Sequence, residues 1–448
     1  MSRPAMTLVE MLVALAATLL LMAAVAQVFA VFGGAISGSR AVLDLDGRMR
    51  SAAWRLRTDL GGITARTVPA PGPGAAEGYL EIIEGPATDA TDAAGLSTVN
   101  GLVGGDHDDV LLFTTRNSEA PFIGRAPTNS VSAAALVDTF ESTLAEVAWF
   151  ARPTPGSSDP VTYTLYRRQL LVMGYVGADP FLDDNNTLPW SSWAGFYNAP
   201  CDVSVRREGA VLFPNTLADL SRRECRFMHN MAGLTSSGHP FPFVAHQTPS
   251  TSGTAELLPA AIEGLVFDAT SQRRGEDAVL SNVLGFDVRV FDPAVPVAVA
   301  AGGTPLVPGD PGFMAAVGPG PPAASGGYVD LGHGVSGNDL LTGVPAHFAG
   351  FGDARSGLQG TAATRRTYDT WGSQYESNGR DEDGDGVVDN WLNGLDDDGN
   401  GQIDDAGERE TVPPYAFPLR GLEVRIRCYE PTSRQVRQIT VRHTFAPH

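Results

Sequence analysis

The chain of 448 residues contains no lysine; all 31 of its basic residues are arginine. A Walker-type phosphate loop, a kinase-type lysine and a Schiff-base nucleophile are therefore excluded. Positive charge is scarce altogether, since 51 Asp and Glu residues leave a net charge of −20. Phosphate recognition rests on a basic footprint, so nucleic acid is not an expected partner. Cysteine is rare as well: Cys201, Cys225 and Cys428 are too few for a disulfide framework and match no zinc spacing. Cys428 falls on the apolar face of a strand pattern, which leaves Cys201 with Cys225 as the pair that could bridge in an oxidising compartment. Spacing alone leaves that question open. Catalytic signatures are missing too. His229, His239 and His246 lack helical metal spacing, Gly334-Val335-Ser336-Gly337 breaks the nucleophile-elbow frame, and no dinucleotide fingerprint occurs. No enzyme is expected.

What the chain does have begins at its N-terminus. From Met11 to Phe32 no residue is charged, enough helix at about 1.5 Å per residue to cross a hydrocarbon core of about 30 Å. Glu10 stands at the start of this run, where an acid is costly unless a cation meets it. A cleaved secretory signal is one reading, supported by the small-x-small pattern Ala24-Val25-Ala26; an uncleaved anchor is another. Beyond Gly33-Gly34, a pair expected to loosen the helix, apolar residues recur at Val42, Leu45, Met49, Ala52, Leu56 and Leu60. The helix is therefore expected to run from Met6 to Leu60, about 80 Å, with Gly61-Gly62 supplying a left-handed stop. Its amphipathic half needs a sheet to lie on, and a removable signal has no reason to be fused in phase to such a helix.

After Val68 the punctuation changes to Pro and Gly, and short β-rich runs follow: Tyr79 to Ile83, Val110 to Thr115, Glu146 to Phe150, Thr162 to Val172 and Gly285 to Phe291. In the last, Phe286, Val288 and Val290 alternate with Asp287 and Arg289, which predicts one wet face. Glu146 to Phe150 and Thr162 to Val172 read as a hairpin. The chain closes with another, Leu422, Val424, Ile426 and Cys428 facing the same way as Ile439, Val441 and Phe445, turned by Pro431-Thr432-Ser433. Residues 294–377 read as a Gly/Pro-rich irregular insert.

Between Asn378 and Gly407 one phrase occurs twice, "NGRDEDGDGVVDNWL" and "NGLDDDGNGQIDDAG", in register at 15 residues. Oxygen-bearing side chains alternate (Asp381, Asp383, Asp385; Asp396, Asp398, Asn400), then come Gly386 or Gly401, a carbonyl position (Val387, Gln402), an apolar residue, and an acid at the ninth place (Asp389, Asp404). This is the first three quarters of a calcium loop. The twelfth position holds Leu392 or Gly407 where a bidentate Glu would stand. A solvated acidic linker is the plainer reading, but it gives no reason for Gly and a β-branched residue to recur in both copies. Structural rather than catalytic calcium is expected.

The segment Ala5-Met6-Thr7-Leu8-Val9-Glu10, followed by Met11-Leu12-Val13-Ala14, resembles the cleavage and methylation motif of type IV prepilins and type II secretion pseudopilins, with Ala5 where that family usually has Gly and Met6 where it has Phe. The resemblance implies that a prepilin peptidase cuts between Ala5 and Met6 and methylates the new terminus. Glu10 would then neutralise the terminal amine of a neighbouring subunit during assembly. "EVAWF…TLYRRQLLV", "SNVLGFDVRVFDP" and "PLRGLEVRIRCYEP…RQVRQITVRHTF" are similar in order and texture to the ectodomains of J-type minor pseudopilins and W-type minor pilins. The acidic repeat resembles thrombospondin type 3 and dockerin-like calcium segments.

Together these imply an α+β, pilin-like fold: a leader (1–5), a transmembrane or filament-core helix (6–33), an amphipathic helix (34–62), a β-rich ectodomain (63–293), the irregular insert (294–377), the double calcium repeat (378–410) and a closing hairpin (411–448). The implied role is a structural subunit, single-pass in a bacterial inner membrane, with its ectodomain in the periplasm or on an extracellular filament. Its implied partners are prepilin peptidase and other minor and major pilins or pseudopilins. A membrane-anchored or secreted calcium-dependent binding or adhesion protein is the alternative.

Overall fold

The computed structural model describes residues 7–68, 76–85, 105–127, 137–154, 156–157, 161–173, 201–208, 211–222, 225–227, 275–310, 312–317, 322–333, 348, 366–370, 372, 376–377, 379, 387–389, 393–396, 399–404 and 417–445. Helix α1 spans Leu8–Gly61, 54 residues without a break. The expected loosening at Gly33-Gly34 does not occur: the two glycines weaken propensity by about 1 kcal/mol each, too little to break a helix flanked on both sides by turns rich in Ala and Leu. The register of the amphipathic half is as the period implies, with Leu45, Met49, Ala52, Ala53, Leu56 and Leu60 buried.

The stop differs from expectation. Gly62 has φ −102°, not a left-handed angle. It is glycine because a Cβ there would collide with the Arg116 carbonyl oxygen and the Thr115 hydroxyl. The chain leaves α1 straight onto a strand: Arg116 N–H donates to Gly62 O at 2.7 Å, and Ile63 bridges Thr115.

An antiparallel sheet receives the helix. Its strands are β1 (Leu80–Glu84), β2 (Val110–Arg116), β5 (Leu144–Pro153), β6 (Tyr163–Leu171), β9 (Ala278–Val299), β10 (Pro305–Leu306), β11 (Ala324–Val329), β12 (Arg366–Asp369), β13 (Gly421–Glu430) and β14 (Gln435–Thr444). The order is β12-β1-β2-β5-β6-β9-β13-β14, with β10 and β11 also paired to β9. Two further hairpins, β3 (Phe122–Pro127) with β4 (Val137–Ser142) and β7 (Val205–Glu208) with β8 (Val211–Pro214), stand off this path. The hairpins expected at β5-β6 and β13-β14 are present, Val147 facing Gln169 and Val424 facing Val441. The stretch read as irregular is not wholly so, since β9 runs on to Val299 and β11 and β12 lie within it; β11 carries two glycines and β12 is only four residues long, so neither shows a two-residue period, and pairing to β9 and β1 makes them strands.

Leu422, Val424, Ile426, Phe286, Val288 and Val290 share one face by register and belong to a single core with Leu45, Met49 and Leu56 of α1. The opposite face is not wet. Asp287 and Arg289 are 3% and 0% exposed, and Asp310 and Asp330 from the chain on either side of β11 lie against Arg289. Cys201, Cys225 and Cys428 are all buried thiols, with Cys201 and Cys428 in the apolar core.

Candidate functional site

Three groups of residues carry chemistry beyond packing. The first is the free half of α1. Every residue from Thr7 to Ser37 is exposed, and Gly38 is the first to approach the domain, where a Cβ would meet the Ser433 Cβ at 3.7 Å. Sixteen large apolar side chains lie bare in this half, from Leu8 through Phe32 to Ile36. Such a surface far exceeds the patches that soluble monomers tolerate, and the helix is long and apolar enough to cross a membrane.

Glu10 has a partner within its own helix. Thr7 caps the helix: its hydroxyl accepts from Glu10 N–H at 3.3 Å, and Glu10 Oε2 accepts from Thr7 N–H at 2.9 Å and from its hydroxyl at 3.0 Å. The spacing Thr7-x-x-Glu10 is a capping box legible in the sequence. Glu10 remains solvent-exposed, so the cap holds a carboxylate at the mouth of the helix without hiding it. Ala5 and Met6 lie outside the described residues.

The second group is the acidic repeat. Its two copies have the same local geometry 15 residues apart, Asp389 and Asp404 adopting φ of 52° and 55° and Gly379 and Gly394 φ of 77° and 84°. The ninth-position carboxylates close the loops, Asp389 Oδ2 accepting from Gly379 N–H at 2.8 Å and Asp404 Oδ1 from Gly394 N–H at 2.8 Å. Asp396, first in its copy, accepts from the N–H groups of Asn400 at 3.0 Å and Gly401 at 2.8 Å, and Asn400 Oδ1 accepts from Gln402 N–H at 2.8 Å. Val387, Val388 and Ile403 are exposed, so these apolar positions pack on no core. Asp381, Asp383, Asp385 and Asp398 lie outside the described residues. The described carboxylates of the repeat are thus each held by backbone N–H groups of their own loop.

The third group was not anticipated. Residues 105–109 lie along β9, Phe286 N–H donating to Asp106 O at 2.7 Å and Gly105 N–H to Leu284 O at 3.1 Å. A Cβ on Gly285 would stand 2.9 Å from that same Asp106 oxygen, so glycine permits the approach. The contact brings Glu84, Asp106 and Asp109 together with carboxylate oxygens within 4.8 Å of one another, each at most 1% exposed. Burial, then Asp109, Glu84, Asp108 and Asp287, pushes Asp106 well above the usual carboxylate range; burial, Asp287 and Asp108 do the same to Asp109, against the N–H groups of Val288 and Gly85. A shared proton or a hard cation would relieve this crowding.

The sign of the resulting pH dependence follows. Carboxylates raised in the folded state contribute stability that is complete below about pH 4, their unfolded value, and is lost as pH rises through the raised values. Asp292 works oppositely: burial raises it, but His333 and the Phe348 and Ala294 amides outweigh that and lower it. With two strongly raised acids against it, the urea midpoint in chelator is expected to be higher at pH 5 than at pH 8. Asp106→Asn should flatten the difference; an unchanged slope would count against the cluster.

Elsewhere on the covered face, buried ions are matched. Arg226 meets Asp369 at 2.9 Å and Glu81 at 3.2 Å, all fully buried, and stacks 4.2 Å over the Tyr79 ring. Glu146 accepts from Tyr79 at 2.7 Å and from Phe227 N–H at 2.8 Å. These groups tie distant segments of the domain together. No protein-family model matches the chain, and no curated protein or solved structure matches it.

Proposed function

We propose that the protein is a structural subunit of a type IV pilus or type II secretion pseudopilus, a minor pilin or pseudopilin held in the inner membrane by the first half of α1 and joined through that half to sister subunits. One observation carries the reading: a single continuous helix is buried on its own sheet from Leu45 onward and bare before Gly38. A bilayer or a bundle of like helices is the environment that such a surface requires. The terminal motif Ala5-Met6-Thr7-Leu8-Val9-Glu10 supports the same conclusion by resemblance, and processing by a prepilin peptidase would leave Met6 first. Mass spectrometry of the mature protein distinguishes the readings: methylated Met6 supports the subunit, whereas Gln27 or Met1 at the terminus supports a cleaved secreted protein or a plain anchor.

Glu10 has two separable roles here, capping its own helix and offering charge to a neighbour's terminal amine. Glu10→Gln retains an acceptor for Thr7 N–H but no charge, and Glu10→Ala retains neither. Charge pairing predicts that both variants fail to assemble while remaining in the membrane fraction, with co-purification of sister subunits reduced at least tenfold, about 1.4 kcal/mol. Full assembly by the Gln variant would reduce Glu10 to a cap.

Calcium in the acidic repeat is the second element of the proposal. Extracellular sites operate at about 10⁻⁴ to 10⁻³ M, so millimolar calcium should protect residues 378–410 of the full chain from limited proteolysis and chelator should remove the protection. Cleavage that ignores calcium would leave the acidic linker. A calcium-dependent adhesion protein anchored by α1 is the second reading, favoured only by the doubled loop.

A further inference from the structure

Where α1 meets the domain, a cleft of about 620 Å³ opens between the helix and the β13-β14 turn, lined by Gly34, Gly38, Val42, Thr432, Ser433 and Arg437 among others. Its height along the helix is informative. Gly38 lies six residues beyond Phe32, where the charge-free apolar run ends, about 9 Å at the rise of a helix. Polar headgroups occupy about 5–7 Å on each side of the hydrocarbon, so with the apolar run in a bilayer the hairpin tip stands about 2–4 Å outside the headgroup layer, within reach of a long arginine side chain.

Positive charge predominates at the tip. Residues 33–43 contain Arg40 and no acid, and the tip 431–437 contains Arg434 and Arg437 and no acid, in a chain whose net charge is −20. All three arginines are exposed. Among the described residues, acids begin only farther from the membrane: Asp44 pairs with Arg48 at 2.9 Å, Asp46 lies half-buried on the cleft wall, and Glu430 is buried and accepts from Ser433 N–H. Arg434 reaches its position through φ of 54°, uncommon for a residue with a Cβ. The exposed Arg437 guanidinium donates to neighbouring Gln435 at 3.2 Å, one bond for a group with five N–H donors.

We infer that this tip is a membrane-docking surface, in which Arg40, Arg434 and Arg437 engage anionic phospholipid headgroups. The inference rests on the membrane reading of α1. Docking would fix the tilt of the ectodomain against the bilayer while the subunit waits, and would have to be released when the helix leaves the membrane. The forked guanidinium suits phosphate, and the field of an anionic leaflet reaches about one Debye length, comparable with the height of the tip.

The test uses the full chain with Thr432→Cys labelled by an environment-sensitive fluorophore; Thr432 is exposed and the three native thiols are buried. The protein is reconstituted into vesicles of phosphatidylcholine alone or mixed with phosphatidylglycerol, each containing a headgroup-labelled quencher, and insertion is followed separately by flotation. Quenching is expected to be stronger with phosphatidylglycerol, to weaken with salt, and to fall roughly fivefold per arginine removed in Arg434→Asn and Arg437→Gln. Asn tolerates the left-handed angle at 434, and both positions are at the surface, so the variants retain the fold. Equal quenching in the two vesicles with normal flotation overturns the docking surface and leaves the membrane helix intact. Failure to float overturns both, and quenching that scales with protein density instead of lipid charge assigns the tip to a second copy of the chain and also overturns the inference.

Discussion

Asp59→Ala is expected to destabilise the protein by about 3–5 kcal/mol, more than any substitution on the exposed half of α1. Asp59 sits in the last turn of the helix at 3% exposure. Its carboxylate accepts from Arg167 twice, at 2.7 Å from Nε and 2.7 Å from Nη2, and from Trp149 Nε1 at 2.9 Å. The residue therefore bolts α1 to both β5 and β6. Without it Arg167 keeps Gln169 Oε1 at 2.8 Å but no opposing charge, and a buried cation without a counter-charge accounts for most of the expected loss. Urea unfolding of the full chain in detergent, followed by Trp fluorescence, measures it. Adding Arg167→Met to Asp59→Ala should recover a large part, because no stranded charge then remains. A single-variant loss under about 1 kcal/mol, the range of a surface pair, would show that the bolt is ornamental. If the protein works in a filament, the same variant should assemble poorly although its apolar half is untouched, since a helix that detaches from its sheet cannot transmit position to the ectodomain.

Arg289→Met should be comparably severe. Arg289 is fully buried and answers Asp330 at 2.9 Å, Asp287 at 3.0 Å and Asp310 at 2.8 Å. Burial lowers its proton affinity, yet Asp330, Asp287 and Asp310 together hold it well above the usual arginine value. Met conserves much of the volume, so packing is nearly kept and the effect isolates charge. The cost is expected at about 3–5 kcal/mol, because three acids lose a buried cation on a face that already holds Asp106 and Asp109. Arg425 stands 3.7 Å from Asp310 and 3.9 Å from Asp287 and can compensate only in part, being engaged with Glu423 at 2.7 Å. Limited proteolysis should find residues 300–333 first, since Asp310 and Asp330 tie that segment to β9. Stability within about 1 kcal/mol of the parent would mean that these acids are solvated in place and that the covering layer does not depend on the ion group.

How much of this could be read beforehand depends on the range of the interaction. The buried register Leu45, Met49, Leu56, Leu60 was legible because helical contacts recur within four residues. The β5-β6 and β13-β14 hairpins were legible because their two-residue period and turns are local. The alternation Phe286, Asp287, Val288, Arg289 was read correctly as a strand and incorrectly as half wet: periodicity reports which residues face together, not whether another layer lies over them. Opposite charges two residues apart, Asp287 with Arg289 and Glu423 with Arg425, were the available sign that this face is paired rather than solvated. Gly62 was expected to supply a left-handed turn and instead makes room for β2, a reason held by Arg116, far away in sequence. In the acidic repeat the doubled phrase marked the loops and their glycines, while the carboxylate cluster of Glu84, Asp106 and Asp109 had no motif at all, its members being scattered and joined only where residues 105–109 cross β9.

The sequence by itself determined the long helix, its apolar first half, the amphipathic stripe of its second half and the doubled acidic loops, because each follows from hydrogen bonds and side-chain periods that close within a few residues. Tertiary structure alone decided the strand order, the covering of the second sheet face, the anchoring of Asp59 on Arg167 and the height of the hairpin tip beside Gly38. Those depend on which distant segments come to lie against one another, and burial in a low-dielectric interior, which gives the paired charges their weight, exists only after they do.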